Sequence, residues 1–233
     1  MTTEKQTYLS RLILNPKCKD VQRDLADCHN LHRTLLSAFP QADSDTARAE
    51  FGLLFRLETN PRSGSVTVLA QSLVQPDWHH LPDDYLLEES RTQNIADKYS
   101  TEVLSNQRQL RFRLRANPTR KIDTKSLPDG TKRNGRRVEL YREEDQIQWL
   151  QRKSETAGFR ILDLRLNENV LNLRASPETK TFSRAKQLTF GSVLFEGELE
   201  ITNAEDFQKA LTGGLGTGKA YGFGLLSIAP SQQ

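Results

Sequence analysis

The sequence predicts an α+β fold of two tandem ferredoxin-like domains, each with the element order β-α-β-β-α-β. Segments in which polar and apolar residues alternate, as in strands, recur along the 233-residue chain. Segments with apolar residues three or four apart, as in amphipathic helices, lie between them. A stretch rich in Pro, Gly, Lys and Asp, residues 117–134, is the predicted linker. We therefore predict an N-terminal domain over residues 1–120 and a C-terminal domain over residues 121–233.

The N-terminal domain begins with an alternating segment, residues 8–14, which predicts a strand. A helix is predicted over residues 21–39, and Pro40 ends it. The apolar positions of this helix recur every three or four residues, at Leu25, Cys28, Leu31, Leu35 and Phe39. The remaining elements are strands over residues 51–57 and 66–73, a short helix over residues 81–89 and a strand over residues 110–114.

The C-terminal domain shows the same order of elements, without repeating the sequence of the first. Its predicted strands lie at residues 137–141, 159–166, 188–201 and 225–229, and its helices at residues 143–153 and 203–211. Asn203 or Thr202 is the expected cap of the second helix. Residues 176–186 contain few apolar side chains and predict a loop or the tip of a hairpin. The layout is that of RNA-recognition (RRM-like) modules, but the aromatic signature with which those modules bind RNA is absent.

Charge is distributed unevenly along a chain whose formal net charge is only +3. Residues 108–142 contain 12 basic and three acidic residues, whereas residues 74–106 contain two basic and seven acidic ones. A polyanion such as RNA would bind the first segment and avoid the second. The alternative is that these basic residues only solvate the outer face of a sheet.

Several protein classes do not fit this sequence. No apolar run approaches the roughly 20 residues of a membrane span, and the N-terminus lacks the pattern of a signal peptide. We therefore expect a cytoplasmic protein. Cys18 and Cys28 are the only cysteines, which argues against a disulfide framework. They are too far apart to resemble the paired ligands of a zinc site with His29 and His32, so no metal is expected.

Five of the 13 glycines lie within residues 214–224. Gly213, Gly218 and Lys219 match the spacing of a nucleotide-binding P-loop, but Ala220 stands where that motif needs a hydroxyl. Only 14 residues follow Lys219, and Tyr221 breaks the dinucleotide-binding pattern. Closely spaced glycines let a phosphate approach backbone amides, and we favour that function. The alternative is a loop that only turns the chain.

Two histidines on the predicted first helix are candidates for proton transfer. His29 and His32 lie one turn apart on the same face, with Arg33 beside them. In RNA cleavage the ribose 2′-hydroxyl is the nucleophile, so a base, an acid and phosphate-binding groups suffice without a metal. The alternative is a helix surface without a catalytic role.

The residues together resemble a known family. The spacing of Gly214, Gly216, Gly222 and Gly224, followed by LLSIAP, is similar to the C-terminal signature of CRISPR repeat-processing endoribonucleases of the CasE type, subunits of the type I-E Cascade complex. Further segments resemble the same family in the same order: RDLADCHNLHRTL, QLRFRLRANPTRK, QIQWLQRK, GFRIL and VLFEGELEI. The resemblance spans nearly the whole chain.

The resemblance implies two ferredoxin-like domains and cleavage of precursor CRISPR RNA at the 3′ base of its repeat hairpin. It implies 2′,3′-cyclic phosphate and 5′-hydroxyl ends, no cofactor, and an enzyme that stays on the mature crRNA within Cascade. The catalytic histidine maps onto His32, and His29 stands where some relatives carry tyrosine. His29 is therefore either the partner acid or base, or a group that positions the phosphate.

The resemblance also implies a set of RNA contacts. Arg33 would hold a phosphate beside His32, and a basic hairpin that enters the RNA groove maps approximately onto residues 180–186. The expected contacts on that hairpin are Lys180, Arg184 and Lys186. Those of the glycine loop are Gly216, Gly218, Lys219 and Tyr221.

Two other functions fit parts of the sequence. A non-catalytic subunit that binds an RNA hairpin would shift labelled repeat RNA on a gel without shortening it. A nucleotide-sensing ferredoxin-like regulator would bind ATP at the glycine loop, and Ala220 disfavours it.

Overall fold

The computed structural model describes residues 6–40, 47–60, 62–106, 109–122, 136–162, 174–183 and 188–231. The strands in these segments are β1 (Tyr8–Ile13), β2 (Leu54–Thr59), β3 (Val66–Ser72), β4 (Arg91–Asn94), β5 (Gln109–Ala116), β6 (Thr119–Ile122), β7 (Arg136–Glu139), β8 (Phe159–Ile161), β9 (Arg174–Ser183), β10 (Leu188–Ile201) and β11 (Leu226–Pro230). The helices are α1 (Lys19–Leu25), α2 (Cys28–Leu36), α3 (Ala47–Glu50), α4 (Thr101–Asn106), α5 (Glu143–Thr156) and α6 (Ala204–Gly213). One-turn 3₁₀ helices span Trp78–His80, Asp97–Tyr99 and Lys219–Tyr221. None of the helices described is long and apolar enough to cross a membrane.

The first sheet is antiparallel and has the strand order β2-β3-β1-β4. This is the order that a ferredoxin-like β-α-β-β-α-β chain gives, with the first and third strands at the centre. The apolar side chains of β1 and β3 alternate toward a core that contains Leu12, Val68 and Phe55. The helices α1 and α2 contribute Val21, Leu31 and Leu35 to that core.

The second sheet has the order β11-β5-β10-β8, with β9 paired to β10. Taken with α5 and α6, this is a second ferredoxin-like arrangement. Its core contains Leu114 of β5, Trp149 of α5, Phe195 of β10 and Phe207 of α6. The predicted α+β fold of two ferredoxin-like domains is therefore confirmed.

One strand belongs to a different sheet from the one that the sequence predicts. We assigned residues 110–114 to the last strand of the N-terminal domain, but β5 pairs with β10 and β11 in the second sheet. The cause is its apolar face, because Leu110, Phe112 and Leu114 belong to the second core. The strand that closes the first sheet is the short polar β4, which the sequence did not indicate. This pairing favours a boundary between the two domains near α4.

The predicted helix over residues 21–39 is in fact two helices. Asp27 adopts extended backbone angles (φ −148°, ψ 109°) and its side chain accepts a hydrogen bond from the His29 amide. Asp is a favoured N-cap residue because its carboxylate satisfies an amide that the helix leaves open. The break turns Leu25, which was expected in the core, to an exposed position.

The structure differs from the prediction in two further segments, residues 81–89 and 176–186. Residues 81–89 do not form a helix, because Pro82 and the positive φ of Asp84 (56°) lead the chain through turns after the one-turn helix Trp78–His80. Residues 176–186 were predicted as a loop or the tip of a hairpin, and residues 176–183 of that range belong to β9, which pairs antiparallel along β10. This pairing provides backbone hydrogen bonds to a segment with few apolar residues. Residues 184–187, between β9 and β10, lie outside the described residues.

Buried polar contacts join the two sheets. Arg56 of β2 is 3% exposed, and its guanidinium donates to the carbonyl oxygens of Arg113 and Leu225 in the second domain. The same guanidinium pairs with Glu58 at 2.7 Å. Gln71 of β3 donates to the Leu211 carbonyl at 2.8 Å. These contacts fix how the first sheet meets the end of α6 and the segment that enters β11.

Candidate active site

The two histidines lie at the start of α2. The Asp27 carboxylate accepts a hydrogen bond of 2.9 Å from the His29 amide, so the helix begins at Cys28. His29 and His32 are therefore one helical turn apart on one face. His32 is buried at 8% exposure, and His29 is half-buried. The pair thus combines one shielded imidazole with one that solvent and substrate can reach.

The His32 ring packs against the aromatic ring of Phe55. The ring centroids are 6.2 Å apart and the planes differ by 14°. Phe55 is a fully buried residue of β2, so it provides a fixed surface for the imidazole. On the same ring, a Cβ placed on Gly222 would lie 3.1 Å from a Phe55 ring carbon. Phe55 therefore links the histidine of the first domain to the glycine loop of the second.

The glycine loop follows a path that only glycine adopts easily. Its glycines at 214, 216, 218, 222 and 224 all have positive φ. The loop is closed by hydrogen bonds from the Leu215 amide to the Gly224 carbonyl, at 2.9 Å, and from the Gly224 amide to the Arg115 carbonyl, at 2.8 Å. The fold therefore explains why the glycines are needed, whatever the loop binds.

Two segments that are far from α2 in sequence contact this helix. The one-turn helix Lys219–Tyr221 and the strand β9 each come within 8 Å of α2 between Cα atoms. Because the one-turn helix Lys219–Tyr221 is part of the glycine loop, this contact brings the helix that carries the histidines against that loop. The His32 ring and Gly222 of the glycine turn both lie against the ring of Phe55.

The loop residues predicted to bind RNA also have structural contacts. Lys219 donates from Nζ to the Gly213 carbonyl at the end of α6. The Tyr221 ring stacks on Phe190 of β10, with centroids 4.5 Å apart. A Cβ on Gly216 would meet the Trp149 ring at 3.0 Å, and one on Gly218 would meet the Phe223 ring at 2.9 Å. Their roles toward RNA stay predictions.

The other predicted contacts lie on α2 and on the hairpin. Arg33 is exposed and follows His32 on the helix. Lys180 belongs to β9, whose backbone passes beside α2. Arg184 and Lys186 lie outside the described residues. The described part of the hairpin thus contacts the helix that carries the histidines, and its role toward RNA stays a prediction.

Two residues of this region were not identified from the sequence. Phe55 looks like an ordinary core residue in FGLLFRL, and only the fold shows that it supports His32. Arg115 lies with its guanidinium carbon 5.7 Å from the Phe223 ring centroid, and its Nε donates to the Ser192 hydroxyl at 2.9 Å. The strand predicted over residues 110–114 ends one residue before Arg115, and its pattern did not indicate that this arginine borders the glycine loop.

The thiol beside the histidines is not a nucleophile at neutral pH. Burial raises the pKa of Cys28 to about 11, and the charge of Asp27 adds to the increase. Only the thiolate is a good nucleophile or metal ligand. Among the described residues, no three His, Cys, Asp or Glu side chains are grouped so that they could hold a metal ion.

Comparison with known proteins agrees with this geometry. Residues 7–230 match the family described as CRISPR associated protein. The chain is 34% identical over 230 residues to the CRISPR-associated endoribonuclease Cse3 of Thermus thermophilus, covering 96% of this chain and 100% of that protein. It is 32% identical to the CRISPR system Cascade subunit CasE of Escherichia coli K12, covering 96% and 99%.

Solved structures of Cse3 and Cas6e are also similar to this chain. The structure of T. thermophilus Cse3 bound to an RNA representing a pre-cleavage complex matches with a TM-score of 0.76 and 34% identity, covering 97% of this chain and 100% of the other. Cas6e from E. coli K-12 matches with a TM-score of 0.65 and 27% identity, covering 96% and 100%. The chain belongs to the CRISPR-associated protein family that includes Cse3 and CasE.

Proposed function

We propose that this protein is a metal-independent endoribonuclease that cleaves precursor CRISPR RNA at the 3′ base of the repeat hairpin, with His32 at its catalytic centre. The observation that carries the proposal is that the glycine turn and β9 both contact α2, the helix on which His32 lies. A relative at 34% identity over nearly the whole chain is named an endoribonuclease, and its structure was solved with RNA. The proposal assigns the same class of reaction to this arrangement of residues.

The reaction is an internal phosphoryl transfer. A base removes the proton of the ribose 2′-hydroxyl, and the 2′-oxygen forms a bond to the adjacent phosphorus. The bond from phosphorus to the 5′-oxygen then breaks, and an acid protonates that oxygen. The products are a 2′,3′-cyclic phosphate and a 5′-hydroxyl. His32 and His29 are the two imidazoles that α2 carries, and we assign the roles of base and acid to this pair.

Cations and backbone amides stabilise the charge that develops on the phosphate. Arg33 is exposed beside His32 and supplies a guanidinium. The glycine turn lies opposite, and its positive-φ residues keep side chains away from a phosphate. The Lys219 ammonium donates to the Gly213 carbonyl in the structure, so a phosphate contact by this group exchanges one acceptor for another.

The similarity to Cse3 and CasE also supports a proposal for the RNA substrate and for the protein partners. The hairpin β9–β10 carries Lys180 and passes beside α2, and it would hold the stem of the repeat while the strand at its base enters the site. Because the relative from E. coli is named a Cascade subunit, we propose that this protein keeps its mature crRNA and joins other Cascade subunits in the cytoplasm.

Cleavage of a labelled cognate repeat RNA under single-turnover conditions tests the proposal. The wild type should cut once, at the base of the hairpin, and should do so equally in EDTA. His32→Ala should lower the rate at least about 100-fold, the usual contribution of a general acid or base. His32→Asn, which keeps a polar side chain of similar size without an imidazole, should do the same while the protein stays folded.

Controls separate this mechanism from the alternatives. His79→Ala removes an exposed histidine of the one-turn helix Trp78–His80, which lies at the C-terminal end of α2 and not at the start that carries His29, and should cleave normally. A 2′-deoxy nucleotide at the scissile position should bind and resist cleavage. A wild-type protein that shifts the repeat without shortening it is a binding subunit and not an enzyme. Cleavage that EDTA abolishes and magnesium restores would place the protein in another nuclease class.

A further inference from the structure

A groove lined by cations lies between the β6–β7 hairpin and the C-terminal half of α5. Its volume is about 370 Å³. Its polar lining includes Arg120, Arg137, Arg152, Lys153 and Thr156, and Gly216 closes one end. No carboxylate is found among the described residues that line it. The three arginines are exposed, so their guanidinium groups are accessible to a large ligand.

The rest of the basic segment 108–142 is less available to an anion. Arg113 of β5 pairs with Glu196 at 2.6 Å and with Glu58 at 3.3 Å. The open cleft on that face of the second sheet also contains Glu198, so it mixes both signs of charge. Among the described residues, Arg113 of β5 is thus paired with carboxylates, whereas Arg120 and Arg137 of the β6–β7 hairpin are in no ion pair.

The carboxylate of β7 is used elsewhere. Glu139 accepts a hydrogen bond of 2.6 Å from the Gly191 amide, at the irregularity in β10, and one of 3.2 Å from the Tyr141 hydroxyl. These bonds attach the β6–β7 hairpin to β10 and give the Glu139 charge polar partners outside the groove. The hairpin is thus held in place while its arginines remain at the groove.

The groove continues to the glycine turn. A second pocket of about 350 Å³ shares Lys153, Thr156 and Gly216 with it and also contains Lys219. The only acid among the described residues lining this pocket, Asp206, is paired with Lys209 at 2.9 Å. Since the turn that includes Lys219 lies against α2, the cationic surface runs from the β6–β7 hairpin to the proposed cleavage site.

We propose that this groove binds backbone phosphates of the RNA strand that is cleaved at His32, beyond the cleaved phosphate itself. The identity of the ligand rests on the proposed function. The physical reason is the repeat of cations without acids along a path that ends at the glycine turn, because the phosphates of one strand follow each other at intervals of several ångströms. Each cation that meets a phosphate releases counterions, which gives binding a steep dependence on salt.

Binding measurements with an uncleavable RNA test the groove separately from catalysis. The probe is the cognate repeat, with its flanking single strands and a 2′-deoxy nucleotide at the scissile position. Its Kd is measured by fluorescence anisotropy between 50 and 300 mM salt for the wild type and for Arg137→Gln/Arg152→Gln. The matched control, Arg11→Gln/Arg111→Gln, removes two exposed arginines of β1 and β5 and so the same net charge.

The groove variant should bind at least about 10-fold more weakly at 150 mM salt, and its plot of log K against log salt should be shallower by about 1.4 to 1.8 for two lost phosphate contacts. The control should change Kd less than threefold. Equal losses in the two variants would mean that only net charge matters, and no loss in the groove variant would mean that RNA does not lie there. Because the RNA is not cut, a protein that binds but fails to cleave leaves this result intact.

Discussion

Replacing Gly222 by alanine tests whether the glycine turn holds the His32 site together. Gly222 has φ 83° and ψ 22°, the left-handed region, which costs an alanine about 1–2 kcal/mol. Its new Cβ would lie 3.1 Å from the Phe55 ring, a tight contact that adds about 1 kcal/mol. We therefore expect the free energy of unfolding to fall by about 2–3 kcal/mol.

Gly64→Ala provides the matched control. Gly64 has φ 68°, so alanine meets similar backbone strain, but a Cβ there has no atom within 4 Å. The lower entropy of the unfolded chain offsets part of the strain equally in both variants. The difference between the two variants should be about 1 kcal/mol, which corresponds to about 2–4 °C in Tm for a chain of this size.

Gly222→Ala should affect the rate of RNA cleavage more strongly than the free energy of unfolding. The Phe55 ring that Gly222→Ala displaces is the ring on which His32 stacks, so a shift of a few tenths of an ångström reaches the imidazole. Since misplacement by about 1 Å costs about 100-fold in rate, we expect single-turnover cleavage to slow about 10-fold at saturating enzyme. Gly64→Ala should cleave at the wild-type rate.

A double-mutant cycle completes the test. Phe55→Leu removes the ring that the added methyl group meets, so adding Gly222→Ala to it should cost about 1 kcal/mol less than adding it to the wild type. The reasoning is refuted if folded Gly222→Ala cleaves at the wild-type rate, or if the cycle shows no coupling between the two positions.

Three further outcomes are expected. Gly158→Ala would place a Cβ 2.3 Å from the Asn203 carbonyl and 2.8 Å from another backbone atom of α6, so it should lose more than about 3 kcal/mol in urea denaturation, far more than Gly64→Ala. Burial favours protonation of Glu58, but two neighbouring arginines outweigh it and hold its pKa below the usual value. Glu58 therefore stabilises the fold above its unfolded pKa of about 4.3 and loses this contribution as pH falls through its lower folded pKa, so Glu58→Gln should flatten the decline in stability below about pH 4.3. Burial raises the pKa of Cys28 to about 11, so iodoacetamide at pH 8 should alkylate it at least about 10-fold more slowly in the native protein than in guanidinium, as measured by mass spectrometry.

Local sequence patterns predicted elements well where one face of the element is buried. Residues 188–201 were predicted as one long strand, and β10 spans those same residues, with Val193, Phe195 and Leu199 packed in the second core. The cap of α6 was predicted for a physical reason that the structure confirms, since the Asn203 side chain accepts from the Asp206 amide at 3.1 Å. The helix α5 begins at Glu143 as expected and extends to Thr156.

The errors arise where a tertiary contact or one polar residue overrides a periodic pattern. Apolar spacing continues through residues 25–28, yet the Asp27 carboxylate caps a new helix and breaks the first one. Asp27 was a visible signal, because an N-cap residue inside a predicted helix marks a place where the helix can restart. The strand β4 had no such signal, since its four polar residues form a strand only because β1 offers an unpaired edge.

The candidate site is less predictable than the fold, because its parts are distant in sequence. His32 and Gly222 meet through Phe55, and no periodicity within either segment encodes that meeting. The family resemblance implied roles toward RNA for both segments, but not the contact between them. The cations of the groove could not be separated from those of β5 by counting charges, because Arg113 is neutralised by Glu196, a residue 83 positions away.

The structural explanation of the glycine loop is compatible with the functional one. Each of its positive-φ glycines leads the backbone through a turn that other residues resist, and several lie against rings: Gly216 on Trp149, Gly218 on Phe223 and Gly222 on Phe55. Rings on the inner side of the loop leave its outer side as bare backbone next to α2 and the cationic groove. Under the proposed function, this packing is what would let a phosphate come close to the amides of the loop and to Lys219.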